Sequence, residues 1–245
     1  MKMYAGTIVS NTFKEIEVVY PKFGFFHSIA EVCQSAKLLV NGLDGISLDI
    51  RTKLFRKEPF FTTPCNEFSE SIWTDGRFAD DVIRAIEEID YIIIEVSSLT
   101  YFKCQNSGMF LHWNPNYSSS FSYGDIYPDG YYEKIGLGNL VQKCECDEKF
   151  LVNSLNELLG FFPKVKLIVT GHINDQSSYT RTNLNKIIEN AVSKVDKAVF
   201  FDNRSIFERF GYNVIGGQKD PHHLTNFGEK QLGIELQNTV IKNER

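Results

Sequence analysis

The sequence has no long apolar run. No stretch approaches the roughly 18 consecutive apolar residues that a transmembrane helix needs, so we expect no membrane-spanning segment. The opening segment, MKMYAGTIVSNTFKEIEVVY, also lacks the continuous apolar core of a secretory signal peptide. Positive charge is in deficit, because 26 Lys and Arg stand against 31 Asp and Glu and give a net charge of -5. This balance does not favour nucleic acid as a partner.

Cysteine is scarce, and the cysteines do not have the paired spacing of a disulfide framework. The five cysteines lie at positions 33, 65, 104, 144 and 146, and no C-x-x-C pair occurs. An odd number without paired spacing favours a reducing compartment, and we expect a cytoplasmic location. Cys144 and Cys146 form a C-x-C pair, but zinc needs further ligands that no second pair supplies. A structural or incidental role is therefore the preferred interpretation, and we expect neither a metal nor a cofactor.

Three segments alternate helix-like and strand-like patterns. The apolar runs YIIIEVSS (91–98), VKLIVTG (165–171) and KAVFFDN (197–203) each follow a segment whose apolar residues recur at helical spacing. Helix-then-strand units in succession indicate parallel strands connected by crossover helices. We therefore predict an α/β protein with a wound parallel sheet of about five strands flanked by helices. The 245 residues, 42% of them hydrophobic, fit a single domain over residues 1–245.

Two further segments frame this sheet. SIAEVCQSAKLLVNG near the start reads as a helix, and KEIEVVY, FGFF and GISLDI are strand candidates around it. LTNFGEKQLGIELQNTVI near the end predicts the last helix, with Thr225 or its neighbour Asn226 as N-cap. Residues 101–132 are rich in aromatics, Ser, Gly and Asn without a clean period, which predicts a long insertion loop. That loop leaves the carboxyl end of the YIIIEVSS strand, where ligands bind in open α/β sheets.

Ser28 is the strongest candidate nucleophile. It opens the predicted helix SIAEVCQSA, where backbone N–H groups are unpaired and the helix dipole favours negative charge. An oxygen that becomes negative during attack would be stabilised at that place. The alternative is that Ser28 serves only as a helix N-cap.

The segment GGQKDPHHLTNFGEKQL places an aspartate three residues before a histidine. This D-x-x-H spacing can bring Asp220 beside His223, so that the carboxylate orients the imidazole and His222 faces solvent. The alternative is a surface loop with an incidental Asp–His hydrogen bond. His172, in TGHIND, ends another predicted strand and can border the same pocket. His172, Asp220 and either His222 or His223 are also suitable metal ligands, but no spacing fixes such a site.

These residues, in this chain order, resemble the SGNH (GDSL-like) hydrolases, and within them the subgroup that carries a G-S-C-F-A motif. FHSIAE is similar to GSCFAE, with Ser28 at the cysteine position, and DPHHLTNFG is similar to the family's D-x-x-H followed by LTPEG. The strands in YIIIEVSSLTYF and KLIVTGHIN look like two strands of the subgroup. The similarity spans about residues 23–232 and implies one three-layer α/β/α domain of flavodoxin-like type.

The resemblance implies acyl transfer through a covalent intermediate. His223 would take the proton of Ser28, Asp220 would orient His223, and Ser28 would attack an ester carbonyl. The oxyanion donors would be the backbone N–H groups of Ser28 and Leu48 with the Thr100 hydroxyl, where typical members have glycine and asparagine in place of the last two. Gly45 is the alternative match to that glycine.

The family hydrolyses esters and transfers acyl groups, frequently on carbohydrates, so the implied substrate is an acylated sugar or a similar small ester. Trp113, Tyr101 and His172 are the substrate-binding candidates, since aromatic faces suit a sugar ring. Two alternatives stay open. One is a non-catalytic glycan-binding module on the same fold, and the other is a transferase that moves another group onto a polysaccharide.

Overall fold

A computed structural model describes residues 2–5, 17–19, 28–41, 90–105, 108, 110–111, 141–172 and 179–242. The chain divides into two compact units. The first contains Met1–Tyr20, Glu88–Ser98 and Asp147–Arg245, and the second contains Pro21–Glu87 and Leu99–Cys146. The prediction of a single domain over residues 1–245 stays a prediction.

The elements follow one another along the chain as β1 (Lys2–Ala5), β2 (Glu17–Val19), α1 (Ile29–Asn41), β3 (Tyr91–Val96), β4 (Thr100–Cys104), β5 (Phe110–Leu111), β6 (Val141–Glu145), α2 (Glu148–Phe161), β7 (Lys166–Gly171), α3 (Tyr179–Val192), β8 (Ala198–Phe200), α4 (Ile206–Phe210), β9 (Tyr212–Ile215), β10 (Gln218–Leu224) and α5 (Asn226–Lys242).

A parallel sheet forms the centre of the first unit. Its strand order is β2-β1-β3-β7-β8, and every neighbouring pair is parallel. All six residues of β3, YIIIEV, are buried, which is typical of a parallel strand covered on both faces. The predicted α/β class with a parallel sheet is confirmed. From β1 to β2 the chain adds a strand on one side of β1, and from β3 onwards it adds β7 and β8 on the other side. The direction in which strands are added therefore reverses between β1 and β3.

Helix α2 of the first unit begins where the sequence supplies a capping side chain. Asp147 precedes α2, and its carboxylate accepts a hydrogen bond from the backbone N–H of Phe150 at 2.7 Å. Leu151, Leu155 and Leu158 then recur at helical spacing and are buried. Helix α3 packs against α2 and against β7. These two helices are the ones that the apolar spacing of the sequence predicts.

Thr225 caps the last helix. Its hydroxyl oxygen accepts from the N–H of Gly228 at 3.0 Å and donates to the carbonyl of Phe210 at 3.1 Å. The prediction of Thr225 as N-cap of α5 is confirmed, and the second bond ties the cap to the end of α4. None of the helices within the described ranges has the length and apolar character needed to cross a membrane.

One apolar cluster joins the sheet to the C-terminal elements. It contains side chains from β3, β7, α4, β10, α5 and the segment after β8: Tyr91, Ile93, Ile168, Phe201, Ile206, Phe207, Leu224, Leu232 and Leu236. Phe210 and Tyr212 pack against its edge. Because the cluster reaches both the sheet and the end of β10, burial of apolar surface fixes the C-terminal hairpin to the sheet.

The hairpin of β9 and β10 turns at the two glycines. Gly216 and Gly217 have φ angles of 59° and 80°, and they connect Ile215 to its partner Gln218. Positive φ at both central residues is the requirement of a tight type I′ turn, which glycine meets without strain. After this turn the polar segment forms β10, in which Gln218, Lys219 and Leu224 pair with β9, whereas a surface loop was the alternative interpretation of the sequence.

The second unit contains α1 and a three-stranded antiparallel sheet, in the order β5-β4-β6. The side-chain amide of Gln34 on α1 accepts from the N–H of Phe110 at 2.6 Å and donates to its carbonyl at 3.0 Å.

Residues 101–104 and 110–111 lie in strands, whereas the sequence predicted that a long loop would begin at Tyr101. Cross-strand packing explains the difference, because the rings of Tyr101 and Phe110 meet edge to face at 5.3 Å. Residues 112–132 lie outside the described part.

Candidate functional site

Asp220 and His223 form a hydrogen-bonded pair on β10. The distance from Asp220 Oδ2 to His223 Nδ1 is 2.5 Å, and the imidazole is 65% exposed while the carboxylate is 10% exposed. A proton on Nδ1 donates to the carboxylate and leaves Nε2 as the acceptor. This is the contact that the D-x-x-H spacing predicts. The pair therefore has the geometry of an oriented general base.

The hairpin register explains how this pair is displayed. Lys219 pairs with Val214 and Leu224 pairs with Tyr212, so residues 220–223 lie opposite Asn213 alone. Such a bulge bends a strand and changes the direction of its side chains. In a regular strand, side chains three positions apart point to opposite faces of the sheet. The bulge removes this alternation and lets Asp220 and His223 meet.

Ser28 lies at the start of α1, in the second unit. Its backbone N–H and its hydroxyl both donate to Glu31 Oε2, each at 2.9 Å, and Ser28 is 1% exposed. The bond from the N–H is one half of a capping box, whose sequence signal is the S-x-x-E of SIAE. Glu31 is a partner that the sequence interpretation missed. Convergence of Ser28 with His223 stays a prediction.

The remaining predicted site residues have different outcomes. Thr100 and Tyr101 lie on β4, are half-buried, and pair with Glu145 and Cys144 of β6. Leu48 and Trp113 lie outside the described residues, as does the side chain of His222. The roles of Thr100, Leu48, Tyr101 and Trp113 in binding stay predictions.

His172 belongs to a second carboxylate–histidine pair, at the carboxyl edge of the parallel sheet. It follows β7 directly, and its Nδ1 contacts Oε1 of Glu95, the penultimate residue of β3. The Glu95 carboxylate is 5% exposed and the imidazole is 22% exposed. The hydroxyl of Ser97 also bonds Glu95 Oε1, at 3.2 Å. A buried carboxylate is thus linked to the surface through one histidine.

Two buried asparagines lie near Gly171, the last residue of β7. Asn203, which follows β8, donates from Nδ2 to the carbonyl of Gly171 at 2.6 Å. Asn185 on α3 is 0% exposed, and a Cβ at Gly171 would stand 2.1 Å from its Oδ1. Glycine at the end of β7 therefore makes room for the Asn185 amide. Within the part of the chain that the structure describes, both amide atoms of Asn185 and Oδ1 of Asn203 have no hydrogen-bond partner.

The charged residues next to this edge are held in a surface network. Arg204 makes two side-chain bonds to Asp202, at 2.6 and 2.7 Å, and reaches Glu189 at 3.2 Å. The hydrogen bond from Arg204 lowers the pKa of Asp202 below its ordinary value, against a smaller opposing effect of burial. Both neighbouring carboxylates raise the pKa of Arg204. Asp202 therefore remains ionised and serves to anchor the arginine.

A metal centre finds no support among the side chains described. Within those ranges, no group of three or more His, Cys, Asp and Glu side chains is placed to hold an ion. Cys144 is half-buried, and its thiol donates to the carbonyl of Gln142 at 3.8 Å.

Comparison with known proteins gives no relative: no family model, curated protein or solved structure matches the chain. The resemblance to SGNH hydrolases thus rests on the motifs alone. Glu95 and Asn185 are residues that the sequence interpretation missed. The signal for Glu95 was available, since it is the single charge within the apolar run YIIIEV. Nothing in the spacing of α3 distinguishes Asn185 from a surface asparagine.

Proposed function

We propose that the protein is an SGNH-like serine esterase or O-acyltransferase that works in the cytoplasm on an acylated carbohydrate or a similar small ester. The observation that carries this proposal is the 2.5 Å bond between Asp220 and His223, with the imidazole exposed. The order of the parallel strands suits the three-layer α/β/α domain of that family. Both features would be expected of a hydrolase whose base lies just before the last helix.

In this mechanism His223 Nε2 takes the proton of the Ser28 hydroxyl while Ser28 Oγ attacks the ester carbonyl. Asp220 holds the ring in the required tautomer and stabilises the imidazolium that forms. The backbone N–H groups of Ser28 and Leu48 and the hydroxyl of Thr100 would stabilise the oxyanion. Because the N–H and hydroxyl of Ser28 both donate to Glu31, the mechanism requires Ser28 to exchange Glu31 for substrate and base.

Hydrolysis of p-nitrophenyl acetate tests the proposal. Ser28→Ala and His223→Gln should each lower kcat by at least about 10³-fold, because serine and histidine of a triad act as a unit. Ser193→Ala is the matched control, since Ser193 is exposed and its hydroxyl only donates to the carbonyl of Asn190 at 2.8 Å. Hydrolysis that persists in Ser28→Ala would remove Ser28 from the mechanism.

A second candidate is a non-catalytic glycan-binding module on the same fold. The contacts of Ser28 favour it, because a hydroxyl that is buried and donates to Glu31 is already engaged within the helix N-terminus. Labelling with a fluorophosphonate, mapped by peptide, separates the two. An adduct on Ser28 supports the esterase, whereas no adduct together with glycan binding that requires Trp113 supports the module.

A further inference from the structure

We propose that the outer edge of β9 is the interface of a symmetric homodimer, in which β9 of one copy pairs antiparallel with β9 of a second copy. The two hairpins then form one four-stranded sheet in the order β10-β9-β9-β10. The pairing uses neither Ser28 nor the Asp220–His223 pair, so it is independent of the proposed esterase activity.

The first observation is the exposure of apolar side chains next to the turn of the hairpin. Val214 is 61% exposed and Ile215 is 63% exposed. Because successive residues of a strand point to opposite faces, one of these side chains lies on each face of the hairpin. A partner that covered one face would leave the other in water. A strand added along the edge of β9 places new side chains beside both, since cross-strand neighbours pack on the two faces of a sheet.

The second observation is the direction of the backbone groups of Val214. Ile215 and Gln218 flank the two-residue turn and form the hydrogen-bonded pair that closes it. Pairs alternate along an antiparallel ladder, so the N–H and C=O of Val214, opposite Lys219, point away from β10. In agreement, the Val214 N–H donates to Oδ1 of the neighbouring Asn213 at 3.0 Å. Both residues are exposed, so a carbonyl of a partner strand can replace this side chain.

The third observation is the difference between the two edges of the hairpin. Natural proteins protect free edges with charged side chains, proline or bulges. Strand β10 has all three: Lys219 and Asp220 are charged, Pro221 lacks an N–H, and the register shifts between Lys219 and Leu224. Strand β9, with the sequence YNVI, has neither charge nor proline, and among the described strands it pairs with β10 alone. The edge of β9 is therefore suited to a further strand, whereas the edge of β10 is not.

The absence of charge on β9 favours a second copy as the occupant. In a two-fold interface each surface meets itself, so a charged strand would place like charges opposite one another. None of the four residues of β9 is charged. Lys219 has its ammonium group 4.9 Å from the centroid of the Tyr212 ring, which holds this charge over a face of the hairpin. The self-pairing of β9 therefore brings no like charges together at the edge.

The same asymmetry limits the assembly to two chains. A hairpin of two strands is marginally stable in water, and a wider sheet with apolar side chains gains stability. Pairing of β9 with β9 uses both open edges, and the protected edges of β10 then end the sheet at four strands. The interface is thus closed by its two-fold symmetry, and a dimer rather than a fibre is expected.

Analytical ultracentrifugation of the full chain tests the interface, at protein concentrations from about 1 μM to about 500 μM, the range of a small and weak interface. The mass should rise from that of one chain towards twice that value. Val214→Lys adds like charges across the two-fold axis, and Val214→Pro removes the outward N–H and no bond to β10. Each should raise the dissociation constant at least about tenfold. Ile234→Lys, on α5, is the matched control, because it makes a similar change at another exposed aliphatic residue. It should change the dissociation constant less than about twofold.

Three results would overturn the proposal. The mass of a single chain at every concentration would show that β9 does not self-associate. Equal self-association by the natural chain and by Val214→Lys would place the contact elsewhere. Flotation of a monomeric chain with phosphatidylcholine vesicles would assign the apolar side chains to a membrane surface. If Val214→Pro fails to fold by circular dichroism, Val214→Lys decides the matter, since substitution at so exposed a position changes stability little.

Discussion

Removal of the His172 imidazole should destabilise the protein, because it takes a partner from the buried carboxylate of Glu95. Breaking a buried pair by removing one member typically costs about 3–5 kcal/mol. His172 is 22% exposed and the Ser97 hydroxyl remains bonded to Glu95. We therefore expect about 2–3 kcal/mol for His172→Ala. In a chain of this size each kcal/mol lowers Tm by roughly 2–4 °C, which gives a fall of about 4–12 °C.

Urea unfolding followed by circular dichroism measures this change in a double-mutant cycle. Glu95→Gln removes the charge and keeps the shape, so the loss of His172 should cost less in that background. The two substitutions should couple by at least about 1 kcal/mol. Lys194→Ala is the control: it breaks the surface pair with Glu148, whose side chains are 58% and 34% exposed, and should cost under about 1 kcal/mol.

Additivity of Glu95→Gln and His172→Ala to within about 0.5 kcal/mol would refute the reasoning. It would mean that the carboxylate does not depend on the imidazole. A cost of His172→Ala no larger than that of Lys194→Ala would refute it as well, since the Glu95 pair would then behave as a solvated surface pair.

Other substitutions test separate parts of the structure. Thr225→Ala should cost about 1 kcal/mol in urea unfolding through the lost cap of α5, while Thr225→Ser should retain most of the stability. Gly171→Ala should cost about 1–3 kcal/mol, because the new methyl group would meet the Asn185 amide. Gly160→Ala, in the open last turn of α2, should be neutral or stabilising by up to about 1 kcal/mol. Arg204→Gln should return the pKa of Asp202 towards 3.8 in a carboxyl NMR titration. Because folding lowers the pKa of Asp202, the Asp202–Arg204 interaction contributes its full stability above pH 3.8. That stability is lost as the pH falls through the pKa of Asp202 in the folded protein.

Local patterns in the sequence were enough to place most of the elements of the first unit. Apolar spacing at 3.6 residues predicted α2, α3 and α5, and short β-branched runs predicted β3, β7 and β8. The N-cap of α5 and the contact of Asp220 with His223 were also predictable. Each depends on residues no more than three positions apart. The contact of Asp220 with His223 needs the bulge in β10 as well, because side chains three positions apart in a regular strand lie on opposite faces.

Short strands with partners far along the chain were not predictable in this way. Strand β1 has only four residues, and its pairing with β3 joins Met3 to Tyr91. Strands β4 and β6 pair across about 40 residues, from Thr100 with Glu145 to Cys104 with Val141. Their aromatic and polar residues show no clear period because each strand is only five residues long.

The sequence by itself determined the α/β class and the helices α2, α3 and α5, because these follow from periodicity, and it placed Asp220 three positions before His223. Only the tertiary structure decided that Glu95, His172 and Asn203 meet at one edge. They come from the ends of three strands that are separated by whole helices in the chain. Parallel pairing sets the ends of those strands side by side, and no local pattern encodes which polar residues then become neighbours.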